Sequence, residues 1–206
     1  MTIIAIGDIH GEIDKLYKLI KKINPHKETL IFLGDYIDRG SHSKQVIDYL
    51  LSLKESGYKV IALRGNHEDM LLNALTDHGT AWIDMWAING GRATLASYDT
   101  NGKDIKIPEN HIEFIKSMPL YYETEKYIFV HATVRADTPM EEQMIDDLLW
   151  GRFYFKHKLG KVVVCGHTPV NDVTISKNYI MLDTGACFKG GKLSAIILPE
   201  NRVVQV

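Results

Sequence analysis

Residues 30–40, LIFLGDYIDRG, decide the fold that the sequence predicts. The apolar run from Leu30 to Leu33 stops abruptly at a cluster of glycine and polar residues, as a buried strand does where it enters a loop. Apolar residues at helical spacing then follow, with Val46, Ile47 and Leu50 on one face. The stretch therefore predicts a strand, a polar loop and a helix, in that order.

The same arrangement occurs on either side of this stretch. The run from Thr2 to Ile6 leads into residues 7–11, GDIHG, and then into a helical pattern that Asn24 and Pro25 end. The run from Val60 to Leu63 meets residues 64–68, RGNHE. The second half carries more closely spaced strand-like runs at 127–130, 161–165, 179–182, 193–198 and 202–205. Alternating strands and helices followed by a strand-rich half predict an α/β layered αββα sandwich, two packed mixed β-sheets flanked by helices.

Length and composition are those of one ordinary globular domain. The chain has 206 residues, of which 45% are apolar and 24% are charged. We expect a single domain over 1–206, with a helical elaboration at about 72–120 that serves either packing or substrate recognition.

Charge and cysteine content narrow the classes of partner and compartment. The formal net charge of -2 gives no overall basic field, so nucleic acid and membranes are not expected as partners. The amino terminus lacks the features of a signal peptide, and two cysteines make no disulfide framework. We therefore expect a cytoplasmic protein.

Metal-ligating side chains stand directly after the predicted strands. One such dipeptide is ordinary turn chemistry, since Asp and Asn bond their own backbone and Gly supplies a positive φ. Turns do not require a histidine at one strand end after another, however. Loops that follow neighbouring strands converge at the carboxyl edge of a sheet, so these residues should meet there. They are Asp8, His10, Asp35, Asp38, Asn66, His67, His131 and His167.

The oxygen and nitrogen ligands of this set suit two divalent metal ions. Asp35 lies midway in the order of ligands and is the natural bridge between the ions. Asp8 and His10 would complete one ion, and Asn66, His131 and His167 the other. Manganese is the first expectation, with iron, zinc or cobalt as alternatives. Two ions about 3.5–4 Å apart activate a water at neutral pH and clamp a phosphoryl group.

The order of the motifs resembles the phosphoprotein phosphatase branch of the calcineurin-like metallophosphoesterases, and especially its compact bacterial and phage serine/threonine phosphatases. The motifs are GDIHG, GDYIDRG, RGNHE, a histidine after a strand, and GHT, and the resemblance runs from Gly7 to about Ala186. It implies the same metal ligands. It also implies that His67 is the general acid, oriented by Asp38.

The resemblance also indicates which arginines should bind the phosphoryl group, and it shows one loop at which this chain differs from its relatives. Arg39 and Arg152 should bind the phosphoryl oxygens, since the guanidinium fork matches phosphate geometry. The chain departs from its relatives after the fourth strand. It reads His131-Ala132-Thr133 where they usually have His-Ala-Gly, and we expect a differently shaped loop there.

These residues together predict a metal-dependent phosphoester hydrolase. The first expectation is a protein serine/threonine phosphatase, with phosphotyrosine as a further substrate, acting on phosphorylated proteins or peptides and on small phosphoesters in vitro. The alternative is the same chemistry on nucleotides, as in the symmetrical diadenosine tetraphosphate hydrolases or a phosphodiesterase. A third hypothesis, a non-catalytic metal-stabilised binding module, is disfavoured because Asp38, Arg39 and His67 are all present.

Overall fold

The computed structural model describes residues 2–76, 80–99, 106–152 and 159–206. Its strands are β1 (Ile3–Ile6), β2 (Thr29–Phe32), β3 (Lys59–Ala62), β4 (Tyr121–Glu123), β5 (Tyr127–Val130), β6 (Val162–Cys165), β7 (Thr174–Ile175), β8 (Tyr179–Met181), β9 (Ser194–Leu198) and β10 (Arg202–Gln205). Its α-helices are α1 (Ile13–Ile23), α2 (Ser43–Glu55), α3 (Asn66–Leu75), α4 (Thr80–Trp86), α5 (Arg92–Tyr98), α6 (Glu109–Lys116) and α7 (Ile145–Trp150). A π-helical turn (Ala87–Gly91) joins α4 to α5, and a 3-10 turn (Met140–Glu142) precedes α7.

The strands form two mixed five-stranded sheets. The first has the order β10-β9-β1-β2-β3, in which β1, β2 and β3 are parallel and β9 and β10 are antiparallel to their neighbours. The second has the order β4-β5-β6-β8-β7, with parallel β5, β6 and β8 between antiparallel edge strands. The predicted fold class, an αββα sandwich of two mixed sheets flanked by helices, is confirmed.

Alternate residues of β1 face two different apolar layers. Ile3 and Ala5 belong to the core between the sheets, which also contains Phe129 and Val164 of the second sheet. Ile4 and Ile6 pack instead among the helices, against side chains such as Leu16 of α1. Because both faces of the strand are buried, its sequence is a continuous apolar run rather than an alternating one.

The edge strands β4 and β7 were not predicted. Both are short, and Thr174 and Ile175 of β7 are exposed, so no apolar pattern marks that strand. Helices α4, α5 and α6 fall within the region at about 72–120 expected to be a helical elaboration, parts of which (77–79 and 100–105) lie outside the described residues. None of the helices in the described ranges combines the length and apolar composition that a membrane span requires.

Parallel pairing fixes where the polar loops emerge. The in-register pairs Ile6 with Phe32 and Phe32 with Ala62 show that β1, β2 and β3 end at one edge of the first sheet. In the second sheet β5, β6 and β8 also run parallel, so the loops after them share an edge. The loops that carry the candidate site residues therefore converge.

Candidate metal centre

Two groups of potential metal ligands share Asp35. His10, Asp35 and His67 form one group, and Asp35, His131 and His167 form the other, with the ligand atoms of each group within 4.8 Å of one another. All of these side chains are buried. The structure thus brings side chains from five separate segments, four loops and the start of α3, to one point, with Asp35 shared by the two groups.

Backbone carbonyls set the orientation of two imidazoles. Nδ1–H of His10 donates to the carbonyl of Ile37 at 2.9 Å, and Nδ1–H of His131 donates to that of Leu33, also at 2.9 Å. Burial lowers the pKa of His10 to about 3 and lowers that of His131, so both rings are neutral near pH 7. In each ring the Nε2 lone pair is then left to face the site, as it does in metal-ligating histidines.

The donors around Asn66 fit a cation. Nε2 of His131 lies 2.9 Å from Oδ1 of Asn66, and Oδ1 of Asp35 lies 3.4 Å from the same nitrogen. In a neutral His131 that donates through Nδ1, these are three acceptors pointing at one another, which is repulsive without a positive charge between them. Nδ1 of His167 completes the group at 3.1 Å from the Asn66 oxygen. Mixed imidazole, amide and carboxylate donors are those of a divalent transition-metal site.

Asp8 is buried but lies in neither of the two ligand groups. Its carboxylate accepts the backbone N–H of His167 at 3.1 Å. Burial, reinforced by the charges of Asp183 and Asp35, raises the pKa of Asp8 well above its ordinary value. Three carboxylates crowded out of water repel one another, and divalent cations relieve that repulsion.

The loop that carries Asp35 is held by a buried glutamate. The Glu68 carboxylate accepts the backbone N–H groups of Asp35 (2.9 Å), Tyr36 (2.8 Å), Ile37 (3.3 Å) and Gly65 (3.0 Å). Burial and the charge of Asp35 raise the pKa of Glu68 to about 7. A side chain is excluded at Gly65, because a Cβ there would lie 2.2 Å from Oδ1 of Asp35. Glu68 and Gly65 therefore fix the position of Asp35.

Backbone strain concentrates at the same loops. In the described residues the non-glycine residues with positive φ are His10, Asn24, Asp35, Asp38, Arg39, His167 and Asn201. Five of these seven are candidate site residues. Such conformations persist only where the surrounding structure holds them, and they cluster at functional sites.

His67, a member of one candidate ligand group, forms a buried pair with Asp38. Nδ1 of His67 lies 2.6 Å from Oδ2 of Asp38, and both side chains are almost completely buried. Burial opposes the charged form of His67, but the charge of Asp35 and the bond to Asp38 outweigh it and raise the pKa of His67. A proton held on this imidazole matches what a general acid needs.

The two predicted arginines occupy different positions. Arg39 reaches into the site, with Nη1 2.8 Å from Nε2 of His10 and Nη2 3.1 Å from Nε2 of His67. Arg152 is exposed at the end of α7, near enough for its charge to help lower the pKa of His167. Arg39 lies at the centre of the site and Arg152 at its rim.

The sequence prediction missed Asp183. It is buried, its Oδ1 accepts the N–H of Gly185 at 2.9 Å, and burial raises its pKa to about 6. The signal was available, because residues 182–185, LDTG, repeat the pattern of an apolar strand followed by an aspartate and glycine. Glu68 also lies outside the predicted set, because three of the four backbone N–H groups that it binds belong to a loop 31 to 33 residues earlier, and no local pattern in the sequence reveals those bonds.

A model of the calcineurin-like phosphoesterase family matches residues 1–204. The chain therefore belongs to the calcineurin-like phosphoesterases, and the predicted superfamily is confirmed. It is 30% identical to the asymmetrical bis(5'-nucleosyl)-tetraphosphatase PrpE of Anoxybacillus flavithermus, over 98% of this chain and 92% of that protein. The protein of the same name from Bacillus thuringiensis is 27% identical over the same shares.

Solved structures share the fold. A candidate diadenosine tetraphosphatase superimposes with a TM-score of 0.76 at 19% identity, covering 100% of this chain and 92% of that one. The cold-active protein-tyrosine phosphatase of a Shewanella species gives 0.65 at 18% identity, covering 99% and 77%. A serine/threonine phosphatase of Saccharomyces cerevisiae gives 0.64 at 16% identity, covering 100% and 79%. At these identities the likeness concerns the fold alone.

Asp35→Asn should impair binding of both metal ions, because one carboxylate serves both ligand groups. We expect elemental analysis of the manganese-reconstituted variant to fall from about two ions per chain to fewer than one. Asp172→Asn, at an exposed aspartate paired with Lys192, is the matched control and should keep the parent's content. Two full equivalents in a folded Asp35→Asn protein would refute the bridging role.

Proposed function

We propose that this chain hydrolyses the polyphosphate of a dinucleoside tetraphosphate asymmetrically, giving a nucleoside triphosphate and a nucleoside monophosphate. The observation that carries this proposal is the 30% identity to an asymmetrical bis(5'-nucleosyl)-tetraphosphatase over 98% of the chain. It favours the nucleotide alternative of the sequence analysis over a protein phosphatase. The named relatives also favour asymmetrical cleavage over the symmetrical reaction considered there.

The candidate site has the charges that a polyphosphate requires. We propose Asp8, His10, Asp35, Asn66, His131 and His167 as the ligands of two divalent ions, which when bound supply Lewis acidity and an acidified water. Arg39, which faces His10 and His67, is placed to bind the oxygens of the phosphoryl group that reacts. Arg152 at the rim would bind phosphates further along the chain.

A groove beside the site supports a nucleotide substrate. It has a volume of about 250 Å³, and its lining includes Pro169, Phe188 and Lys189. Phe188 is 51% exposed, and Cζ of Arg39 lies 5.8 Å from the centroid of its ring. We propose that a base stacks on this exposed ring while Arg39, close to the ring, binds a phosphate of the same substrate. Base stacking on an aromatic side chain contributes about 1–3 kcal/mol.

A second candidate function is hydrolysis of phosphomonoesters in proteins or peptides. The observation that favours it is the His67–Asp38 pair, with its 2.6 Å contact. An alkoxide leaves poorly unless it is protonated, whereas the phosphate released from an anhydride is a weak base. A buried acid is therefore of more use against phosphoserine than against a dinucleoside polyphosphate.

A substrate panel with product analysis separates the two functions. Manganese-reconstituted protein should cleave diadenosine tetraphosphate to ATP and AMP, with a kcat/KM at least about tenfold above that for phosphoserine and phosphotyrosine peptides, a difference of about 1.4 kcal/mol. Release of two ADP would contradict asymmetrical cleavage. A preference for the phosphopeptides would establish the second function instead.

Phe188→Ala should raise KM for diadenosine tetraphosphate by about 5- to 150-fold, in keeping with the loss of one stacked base. Hydrolysis of p-nitrophenyl phosphate, which has no base, should change by less than about twofold. Phe188→Tyr keeps an aromatic face and should behave as the parent. Tyr17→Ala removes a similarly exposed ring on α1, and should leave the kinetics with both substrates unchanged. Equal losses on both substrates in Phe188→Ala would show that Phe188 is not a base-binding residue.

His67→Asn should lower kcat for phenyl phosphate by about 10²–10⁴-fold, the contribution of a positioned acid. Metal content should stay at the parent value, although His67 lies within one of the two potential ligand groups. A parent-like kcat would remove His67 from the mechanism. Loss of an ion would assign it as a ligand instead.

A further inference from the structure

Two side chains of the helical elaboration bind the carboxylate of Asp38. The indole N–H of Trp86, at the end of α4, donates to both oxygens of Asp38 at 3.0 and 3.1 Å. The hydroxyl of Thr94, in α5, donates to Oδ1 of Asp38 at 2.6 Å. Both side chains are buried, Thr94 completely. The elaboration therefore reaches the partner of the proposed acid.

These contacts account for the orientation of Asp38. Its side chain is fully buried, and a buried carboxylate needs donors for its oxygens. Oδ2 contacts Nδ1 of His67 and the indole of Trp86, while Oδ1 accepts from Trp86 and Thr94. The Asp38 backbone N–H donates to Oγ of Ser43 and to Oγ1 of Thr94. Within the described residues, the donors that compete with His67 for this carboxylate come from the elaboration.

The segment between the two donors is shaped for this arrangement. Gly90 has φ of +110°, and a Cβ there would lie 2.7 Å from the backbone nitrogen of Arg39. A Cβ on Gly91 would lie 2.5 Å from the ring of Trp86. Gly90 thus lets the turn approach the loop of Asp38 and Arg39 closely, and Gly91 leaves room for the indole of Trp86. Trp86, the glycine pair and Thr94 act as one unit, which we call the dyad clamp.

We propose that Trp86 and Thr94 are positioning residues for the His67–Asp38 pair. They hold the Asp38 carboxylate so that it keeps Nδ1–H of His67 engaged and Nε2 directed at the leaving oxygen. Nε2 of His67 lies 3.1 Å from Nη2 of Arg39, the residue proposed to bind the reacting phosphoryl group. The proposal rests on His67 as the general acid and not on the identity of the substrate.

The role of the clamp follows from the proton balance of the reaction. When the phosphorus–oxygen bond breaks, its electron pair stays on the leaving oxygen, and the proton on Nε2 of His67 passes to that oxygen. Water supplies the new oxygen on phosphorus, and a proton released from that water restores His67 through solvent. A misaligned acid slows this step in proportion to the basicity of the leaving oxygen. Loss of the dyad clamp should therefore lower kcat most for esters whose leaving oxygen is strongly basic.

Trp86→Phe and Thr94→Val remove one donor each while keeping most of the side-chain volume. We expect kcat for phenyl phosphate, whose leaving oxygen has a pKa of about 10 like that of tyrosine, to fall by about 10- to 100-fold. For p-nitrophenyl phosphate, the same shape with a far less basic leaving oxygen, the fall should be under about threefold. Metal content should not change. Equal losses on the two esters, or none, would overturn the proposal.

Three further variants separate positioning from folding. Thr94→Ser keeps the hydroxyl and should restore the phenyl phosphate rate lost in Thr94→Val. Trp82→Phe alters a second tryptophan of α4, which packs against the core. This variant should leave kcat unchanged for both esters. In a His67→Asn background, Thr94→Val should lower kcat for phenyl phosphate no further, because its effect acts through His67. An additive loss in that double variant would contradict the positioning role.

Discussion

The site depends on the burial of three carboxylates at one place. Asp8, Asp35 and Asp183 are all nearly inaccessible to water, and the pKa values of Asp8 and Asp183 are raised because burial disfavours their charge. Neutral histidines surround them and turn lone pairs towards the same region. Such an arrangement is unfavourable for the protein alone and favourable for a protein that holds divalent cations. The candidate ligands are kept in this arrangement by the hydrogen bonds from the loop backbone to Glu68 and by Gly65, where a side chain would collide with Asp35.

Much of the fold, and the group of candidate ligands that the structure brings together, could be predicted because their signals are local. A buried parallel strand is a short apolar run, and its end is marked by glycine with Asp, Asn or His, so β1, β2 and β3 and their loops are visible in the sequence. The edge strands β4 and β7 could not be predicted in this way, because a short strand exposed on one side carries little apolar pattern. Asp183 had the same local signal as the candidate ligands and could have been included.

The contacts of the dyad clamp could not be predicted from the sequence. Trp86 and Thr94 lie 48 and 56 residues from Asp38 in the chain, and a tryptophan on a helix is in most proteins a packing residue. Only the tertiary arrangement shows that its N–H is directed at a carboxylate. The region at about 72–120 was expected to serve either packing or substrate recognition. The contacts of Trp86 and Thr94 with Asp38 suggest the third role proposed above, in which a packed element orients the proposed acid.

Every step of the proposed chemistry requires that the side chains around Asp35 hold two metal ions. The most direct measurement is anomalous diffraction at the manganese edge from crystals of the protein soaked in manganese. We expect two anomalous peaks about 3.5–4 Å apart, with the Asp35 carboxylate between them. A single peak, or none at Asp35 in a fully soaked crystal, would contradict the two-metal site.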